Sequence, residues 1–557
     1  LRENAECILN SEYYTVDLNA LKHAKTLLDF EGYLPLRRIL TISDMVRSHA
    51  RLRPQATGTL DSKRTLTFKE WDSRASGLAQ GLLAKGLQPG ERVALLAYNS
   101  IEWMEMYVAL ARAGLVAVPM NFRLTAPELL YIMQDAQATA VIAGHDLFPL
   151  IEEVRYQLPL KACVVFGGPP AAGWLAYEEL VNTPWAHSEW PDVSPQDVCA
   201  LMYTSGTTGK PKGALRSHEA STLIAYATAM EMGFTRQDKG LLVMPLCHAN
   251  SLYFANTFIH LGACVVIDDS ISFNPEGLLK NLAQHNITFT SLVPTHYIMV
   301  LGLPQQVKER YALASVGRLL ISSAPASERL KRDIMALFEN GSLYELYGST
   351  EAGWVTLLRP EDQLTKLGSV GREWAGSGPI KLLDENRQEV PDGEVGELFS
   401  CTPYAFEGYW QAPQKTAEAF AGAWVSVGDM AKRDADGYIW LIDRKSNMII
   451  SGGENVYPSE VENVLSSHPD IQEVAVVGVP HPKWGESVLA AVVLRDQAAS
   501  SSQALQDFCS SRLAGYKRPR QFVFLQSQDL PRTATGKIVH RHLRQKFIDA
   551  FESQAVT

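Results

Sequence analysis

Between residues 203 and 213 the chain reads Tyr203-Thr204-Ser205-Gly206-Thr207-Thr208-Gly209-Lys210-Pro211-Lys212-Gly213. Three glycines let the backbone close around an anion. The hydroxyls of Thr204, Ser205, Thr207 and Thr208 and the ammonium groups of Lys210 and Lys212 add donors and positive charge for phosphate oxygens. A plain surface loop would not gather so many phosphate donors, so this composition points to a bound nucleotide. It is not the Gly-x4-Gly-Lys-Ser/Thr loop, because Lys210 is followed by proline.

Such a loop needs strands that end beside it. From about Thr41 onward, apolar helical patterns alternate with short β-branched runs at 92–96, 114–118, 139–143, 162–166 and 264–267. That alternation predicts an α/β domain with largely parallel sheets, and Gly167 to Gly173 is a turn-rich connector inside it. After Gly378, short strands such as 380–383 and 397–400 are separated by Asp-Glu-Asn and Pro-Asp-Gly turns, which reads as a small β-rich subdomain. The texture changes again near Asp443 to Asn447. A helix at about 459–467, strands at 473–479 and 488–494 and a basic tail predict a compact α+β unit. The expected organisation is a large N-terminal domain, 1–445, and a small mobile C-terminal domain, 446–557; residues 1–40 form an extension with no assigned role.

The chain has 557 residues, 51 basic and 61 acidic side chains and a net charge of −10; 46% of residues are hydrophobic and 20% charged, ordinary values that exclude wholesale disorder. The longest apolar stretch, Met106 to Met120, is broken by Arg112 and falls short of the ~18 to 20 residues of a membrane-spanning helix. Leu1 to Ser11 lack an apolar signal core, although without an initiator Met a removed leader stays open. Seven scattered cysteines, never in C-x-x-C spacing, suggest reduced thiols and a cytoplasmic setting. An acidic chain is a poor partner for nucleic acid, so an enzyme is expected.

The phosphate loop resembles that of the adenylate-forming superfamily: acyl-CoA synthetases, peptide-synthetase adenylation domains and beetle luciferases. Further motifs follow in the family's order, and the likeness, closest to fatty-acyl-CoA synthetases, covers nearly all of the chain after residue 41. Tyr344-Glu345-Leu346-Tyr347-Gly348-Ser349-Thr350-Glu351 is similar to the adenine and metal motif, which implies Tyr347 against adenine, Thr350 on a phosphate and Glu351 on Mg2+; Glu345 belongs to the same nucleotide site. An aromatic face suits a base, and a hard carboxylate suits a cation that also holds ATP oxygens. The resemblance makes Asp429 the ribose carboxylate and Arg444 a ribose or phosphate contact just before a hinge. The family usually has Asp or Lys where this chain has Ser446. In Leu530 to Lys537, Lys537 matches the catalytic lysine, and in Ser451 to Val456 the pair Gly452 and Gly453 matches the passage for the pantetheine arm of coenzyme A.

At the acyl end, Pro245 to Ser251 resembles the family's motif beside the substrate carboxylate and makes His248 an orienting residue, with a satisfied core histidine as the competing reading. Cys247 and His248 point apart as neighbours in an extended segment, which argues against a Cys-His nucleophile. Ile321-Ser322-Ser323-Ala324-Pro325 matches the loop between adenine and acyl group, with Ala324 toward the nucleotide. The family commonly has Gly-Gly where Ser322 and Ser323 stand, so this floor is expected to be narrower or more polar. Tyr226, Met230, Met232, Tyr253 and Phe254 are candidate tail-lining residues or plain core.

The implied reaction is two-step: a carboxylate attacks the α-phosphate of ATP, giving acyl-adenylate and pyrophosphate, and a thiol then releases AMP. The acceptor is free coenzyme A or, alternatively, a carrier protein. About twenty residues follow Lys537, so a fused carrier domain is not expected. A non-catalytic nucleotide-binding protein is the reading from another class, and Glu351, Asp429, Arg444 and Lys537 together weigh against it. The acid is expected to be an apolar aliphatic or alicyclic monocarboxylic acid, or an aryl acid; a homodimer is allowed. From Asn447 to the end there are 11 basic and 11 acidic residues, so the negative excess lies in residues 1–446. Arg512 to Lys546 holds nine basic residues and one acidic residue, Asp529, and is expected either to grip the phosphates of coenzyme A through Lys517, Arg518 and Arg520 or to be a solvated helix face.

Overall fold

A computed structural model describes residues 40–185, 190–204, 211–324, 326–451, 454–481, 484–496, 498–510, 512–532 and 538–555. The described strands form four sheets. One has eight strands with a parallel centre, in which Arg92–Leu96 lies between Val116–Pro119 and Ala138–Gly144, followed outward by Ala162–Phe166. These strands are nearly continuous apolar runs, as expected of a parallel sheet covered on both faces. Toward the other edge come Val198–Thr204 and its antiparallel neighbour Lys212–Ser217.

The second sheet has nine strands. Its centre, Lys239–Leu242, Phe289–Leu292, Arg318–Ser322 and Ser342–Ser349, is parallel, and Gly353–Leu358 turns back antiparallel. Helix Ala249–Leu261 packs on strands Lys239–Leu242 and Cys264–Ile267 of this sheet and against helices Ile42–Leu52 and His218–Met232. It is buried along nearly its whole length and ends at Gly262 in the left-handed region, φ 66°. A six-stranded sheet spans 378–444, and a five-stranded one spans 449–524 with its own apolar core on both faces.

The expected α/β texture and the β-rich segment after Gly378 are both present. Strand limits shift where glycine intervenes: the run expected at 114–118 is the strand Val116–Pro119, because Gly114, φ 67°, is spent ending helix Ile101–Ala113. The apolar stretch 106–120 is therefore a helix end plus a buried strand. Among the described residues no helix is long and apolar enough to cross a membrane, and all six described cysteines are free thiols.

Candidate active site

The two described ends of the phosphate loop are cross-strand partners, Thr204 with Lys212. Ser205, Gly206, Thr207, Thr208, Gly209 and Lys210 lie outside the described residues. Thr204 faces the second sheet, where its hydroxyl donates to Glu351 Oε1 over 3.2 Å. Glu351 sits at the tip of the hairpin joining Ser342–Ser349 to Gly353–Leu358. The turn is so tight that a Cβ at Gly348 would lie 2.4 Å from the carbonyl oxygen of Gly353. Tyr409 also donates to Glu351 Oε1, over 2.9 Å. Lys212 Nζ lies over the Tyr409 ring, 4.7 Å from its centroid, and burial lowers the pKa of that ammonium.

Thr350 is held through its carbonyl, which accepts from Tyr253 Oη at 3.2 Å and from Arg216 Nη1 at 3.4 Å; the same nitrogen reaches the carbonyl of Glu351 at 3.4 Å. Glu351 is 6% exposed. Among the described residues no three His, Cys, Asp or Glu side chains gather as a metal cluster. One buried carboxylate ringed by hydroxyls suits a hard cation that takes its remaining ligands from substrate phosphates and water, the usual manner of Mg2+.

Asp429 opens the strand Asp429–Arg433 and pairs across it with Arg444, which closes Ile439–Arg444. Its carboxylate accepts from Tyr347 Oη at 2.5 Å and from Arg444 Nε at 3.1 Å. Burial and the Asp429 charge push the Tyr347 hydroxyl well above its ordinary range, so it stays a donor. Burial opposes the Arg444 charge, but Asp429, Tyr347 and Glu351 outweigh it and raise its pKa. Thr204, Tyr347, Glu351, Asp429 and Arg444 thus form one electrostatically linked cluster.

Glu345 stands apart from that cluster. Its carboxylate pairs with Lys331 Nζ at 2.6 Å, with both side chains at most 7% exposed, and burial raises its pKa against the pull of that lysine. It sits in register with Ile321, so the pair anchors the strand that delivers Ser322, Ser323 and the exposed Ala324.

His248 occupies the N-cap position of helix Ala249–Leu261, with no capping bond from its side chain. Burial, aided by the Arg123 charge, lowers its pKa to about 4, so the ring is neutral near pH 7. Its Nε2 is buried with no hydrogen-bond partner. Burial pushes the adjacent Cys247 thiol up to about 12, which agrees with the expectation against a cysteine nucleophile. Two residues on, Asn250 Nδ2 donates to Ser322 Oγ over 3.2 Å, and Ser322 Oγ lies 3.5 Å from Ser323 Oγ. Asn250 Oδ1 is buried without a partner. Ser323 has φ 72°, a left-handed conformation that costs a non-glycine residue roughly 1–2 kcal/mol.

Two expectations need correction. Met230 is 77% exposed and points off its helix into solvent, Tyr226 is 42% exposed with its ring edge-on to the buried His260, and Met232, Tyr253 and Phe254 are buried core. The basic segment is largely engaged within its own unit: Lys517 pairs with Glu460 at 2.7 Å, Arg518 donates to the carbonyls of Leu513 and Ser510, and Arg520 lies over the Trp484 ring. Lys537, Gly452 and Gly453 lie outside the described residues; the bridge Arg532 to Ile538 and the pair Ser451 with Glu454 fix the chain on either side of them. At the expected hinge, Asp443 Oδ2 accepts from the amide of Ser459 over 2.9 Å, so a carboxylate beside Ser446 caps helix Pro458–Ser466. Sequence reasoning missed Tyr409, Arg216 and the meeting of Asn250 with Ser322.

The chain matches the family model described as AMP-binding enzyme over residues 46–410 and that of the AMP-binding enzyme C-terminal domain over 460–537. It is 36% identical over 506 residues to a feruloyl-CoA synthase of an Amycolatopsis species, covering 89% of this chain and 97% of that one. To the long-chain-fatty-acid–CoA ligase FadD13 of Mycobacterium tuberculosis it is 33% identical over 513 residues, 90% of this chain and 98% of that one. The crystal structure of the anthranilate CoA ligase AuaEII with anthranoyl-AMP superposes with a TM-score of 0.83 at 28% identity, covering 93% of this chain and 99% of that one.

Proposed function

Since this chain belongs to the AMP-binding enzyme family, we propose that it is an AMP-forming acid–CoA ligase, activating a monocarboxylic acid through its adenylate and passing the acyl group to coenzyme A. The observation that carries this reading is the cluster in which Thr204, Glu351, Asp429 and Arg444 meet from four separate stretches of sequence.

In the first step the substrate carboxylate oxygen attacks the α-phosphorus of ATP and pyrophosphate leaves. Thr204, Lys212 and the 205–210 segment would cradle the phosphates, while Asp429 would accept from the ribose hydroxyls, steered by Tyr347 and Arg444. Tyr347 offers its ring to adenine, and Ala324 and the backbone beside Glu345 line the same face. Glu351 would hold Mg2+, with Thr350 beside it on a phosphate oxygen; bound there, the cation supplies neutralisation of phosphate charge. Lys537 would approach the forming bond and stabilise charge between carboxylate and α-phosphate. His248, neutral, would orient the carboxylate without titrating near pH 7.

In the second step the thiol of coenzyme A attacks the acyl carbonyl and AMP leaves with the bridging oxygen. Passage of the pantetheine arm beside Gly452 and Gly453, after the unit from residue 446 onward has turned on the hinge at Ser446, fits the family pattern. The Asp443 contact with Ser459 would hold one arrangement of the two units. Free thiols at six cysteines suit the cytoplasmic setting.

The test is acid-dependent cleavage of ATP with and without coenzyme A. AMP, pyrophosphate and a thioester are expected; ADP would overturn the reading, and AMP without thioester would transfer the acceptor role to a carrier protein. Lys537→Ala should slow adenylation by at least about 10²-fold while leaving thiolation of supplied acyl-adenylate largely intact. Equal loss in both half-reactions would remove that role from Lys537.

A further inference from the structure

We propose that the acyl end of the cleft selects a compact carboxylic acid bearing a hydroxyl group, which Asn250 reads together with Ser322 and Ser323. This rests on the ligase reading above and adds the class of acid to it.

Three observations converge. Asn250 spends one amide atom on Ser322, whose hydroxyl neighbours that of Ser323, and leaves the other amide atom buried without a partner. The amide can be placed either way round, so the orphaned atom is an acceptor or a donor. A hydroxyl satisfies both cases, because it donates and accepts. A buried polar group without a partner is costly, and one at the mouth of a ligand site is most simply completed by the ligand. The orphaned Nε2 of His248, two residues earlier at the same helix start, makes this end doubly short of hydrogen-bonding partners.

Strain is the second observation. Ser323 holds a left-handed backbone, φ 72°, at a position any glycine would occupy without penalty. What serine adds there is a hydroxyl in line with Ser322 and Asn250. Retained strain beside a site is a mark of use, since folding alone would favour the glycine.

Depth is the third. One turn along the helix from Asn250, on the same face, stands Phe254. Its ring centroid lies 4.6 Å from that of Phe289 and 5.3 Å from that of Trp354, and all three residues are at most 4% exposed. This aromatic block closes the helix face one turn beyond Asn250. An acid that runs along that face from the helix start is therefore limited to a short chain or a single ring.

The experiment measures pyrophosphate release by the full chain with ATP and Mg2+. The acids are benzoate with its 3- and 4-hydroxy derivatives, hexanoate with 6-hydroxyhexanoate, and palmitate. At least one hydroxylated acid should exceed its parent by about 10-fold or more in kcat/KM, because a site built to bond a hydroxyl rejects the analogue lacking it. Palmitate should be poor. Asn250→Leu should bring the ratio close to one. Ser323→Gly should also lower it while raising the melting temperature, which separates lost selectivity from lost folding. Equal kcat/KM within each pair, a preference for palmitate, or a ratio untouched by both variants would overturn the proposal and leave the ligase reading standing. No acid-dependent pyrophosphate from any member would overturn both.

Discussion

The two ends of the proposed site are built on different terms. At the nucleotide end each carboxylate is already held: Glu351 by Thr204 and Tyr409, Asp429 by Tyr347 and Arg444. At the acyl end the polar groups are left incomplete, with His248 Nε2 and Asn250 Oδ1 both buried and unpartnered. A site that meets the same nucleotide at every turnover gains from preorganised dipoles, because nothing needs reorganising as charge develops. A site that must recognise one acid gains from groups that only that acid completes. The contrast is one of carboxylates against amide and imidazole: the nucleotide end holds its carboxylates satisfied, although Arg216 Nε and Nη2 beside them are unpartnered, and the acyl end leaves its neutral polar groups open.

If so, variants at the nucleotide end should slow every acid alike, and variants at the acyl end should change the ratio between acids. The largest effect is expected of Glu351→Gln, which keeps the volume and removes the charge: adenylation should fall about 10²- to 10³-fold for all acids. Loss for one acid alone would break the comparison. Asp429→Asn should raise the KM for ATP about 10- to 100-fold, the worth of charged hydrogen bonds, with little change in the relative rates of different acids. Tyr409→Phe removes one hydroxyl from Glu351 and should cost about 5-fold, seen most clearly when Mg2+ is titrated. The smallest effect is thermal: Ser323→Gly should raise the melting temperature by about 1–2 °C through released strain in a large domain.

Acid stability follows from the same burial. Burial lowers the pKa values of His248, His260 and His296 to about 4 from an ordinary 6.5. Between about pH 6.5 and 4 the unfolded chain therefore binds protons that the folded chain refuses, and stability falls as pH falls through that window. Each such histidine contributes at most about 1.4 kcal/mol per pH unit there. Melting temperatures from pH 7 to pH 4 should drop less steeply in His248→Asn than in the parent. Because His248 is neutral across the working range, its titration should not appear in kcat between pH 6 and 8.

Much of this was legible in the sequence because the chemistry is concentrated in short runs. The loop at 203–213, the octapeptide ending in Glu351 and the positions of Asp429 and Arg444 declare their residue types locally, and the alternation of apolar helices and β-branched runs declares the layers that carry them. What was not legible depends on contacts between distant segments. Tyr409 reaches Glu351 only because Gly408–Tyr409 pairs with the strand Lys212–Ser217, a register no local pattern states. Asn250 meets Ser322 through the packing of a helix start on a strand end. The glycine-to-serine departure at Ser323 did signal an unusual floor, but not the sign of its φ. Met230 shows the reverse error: an apolar residue at helical spacing was counted inward when its helix turns it to solvent. The reading of Lys517 as a phosphate grip does not see its partner, Glu460, which lies 57 residues away.

The central claim, that the acid's own oxygen attacks the α-phosphorus, is tested most directly by labelling. An acid carrying 18O in its carboxylate should deliver one 18O atom to the phosphate of AMP when the thioester forms. Label in inorganic phosphate or pyrophosphate, or none in AMP, would contradict the account.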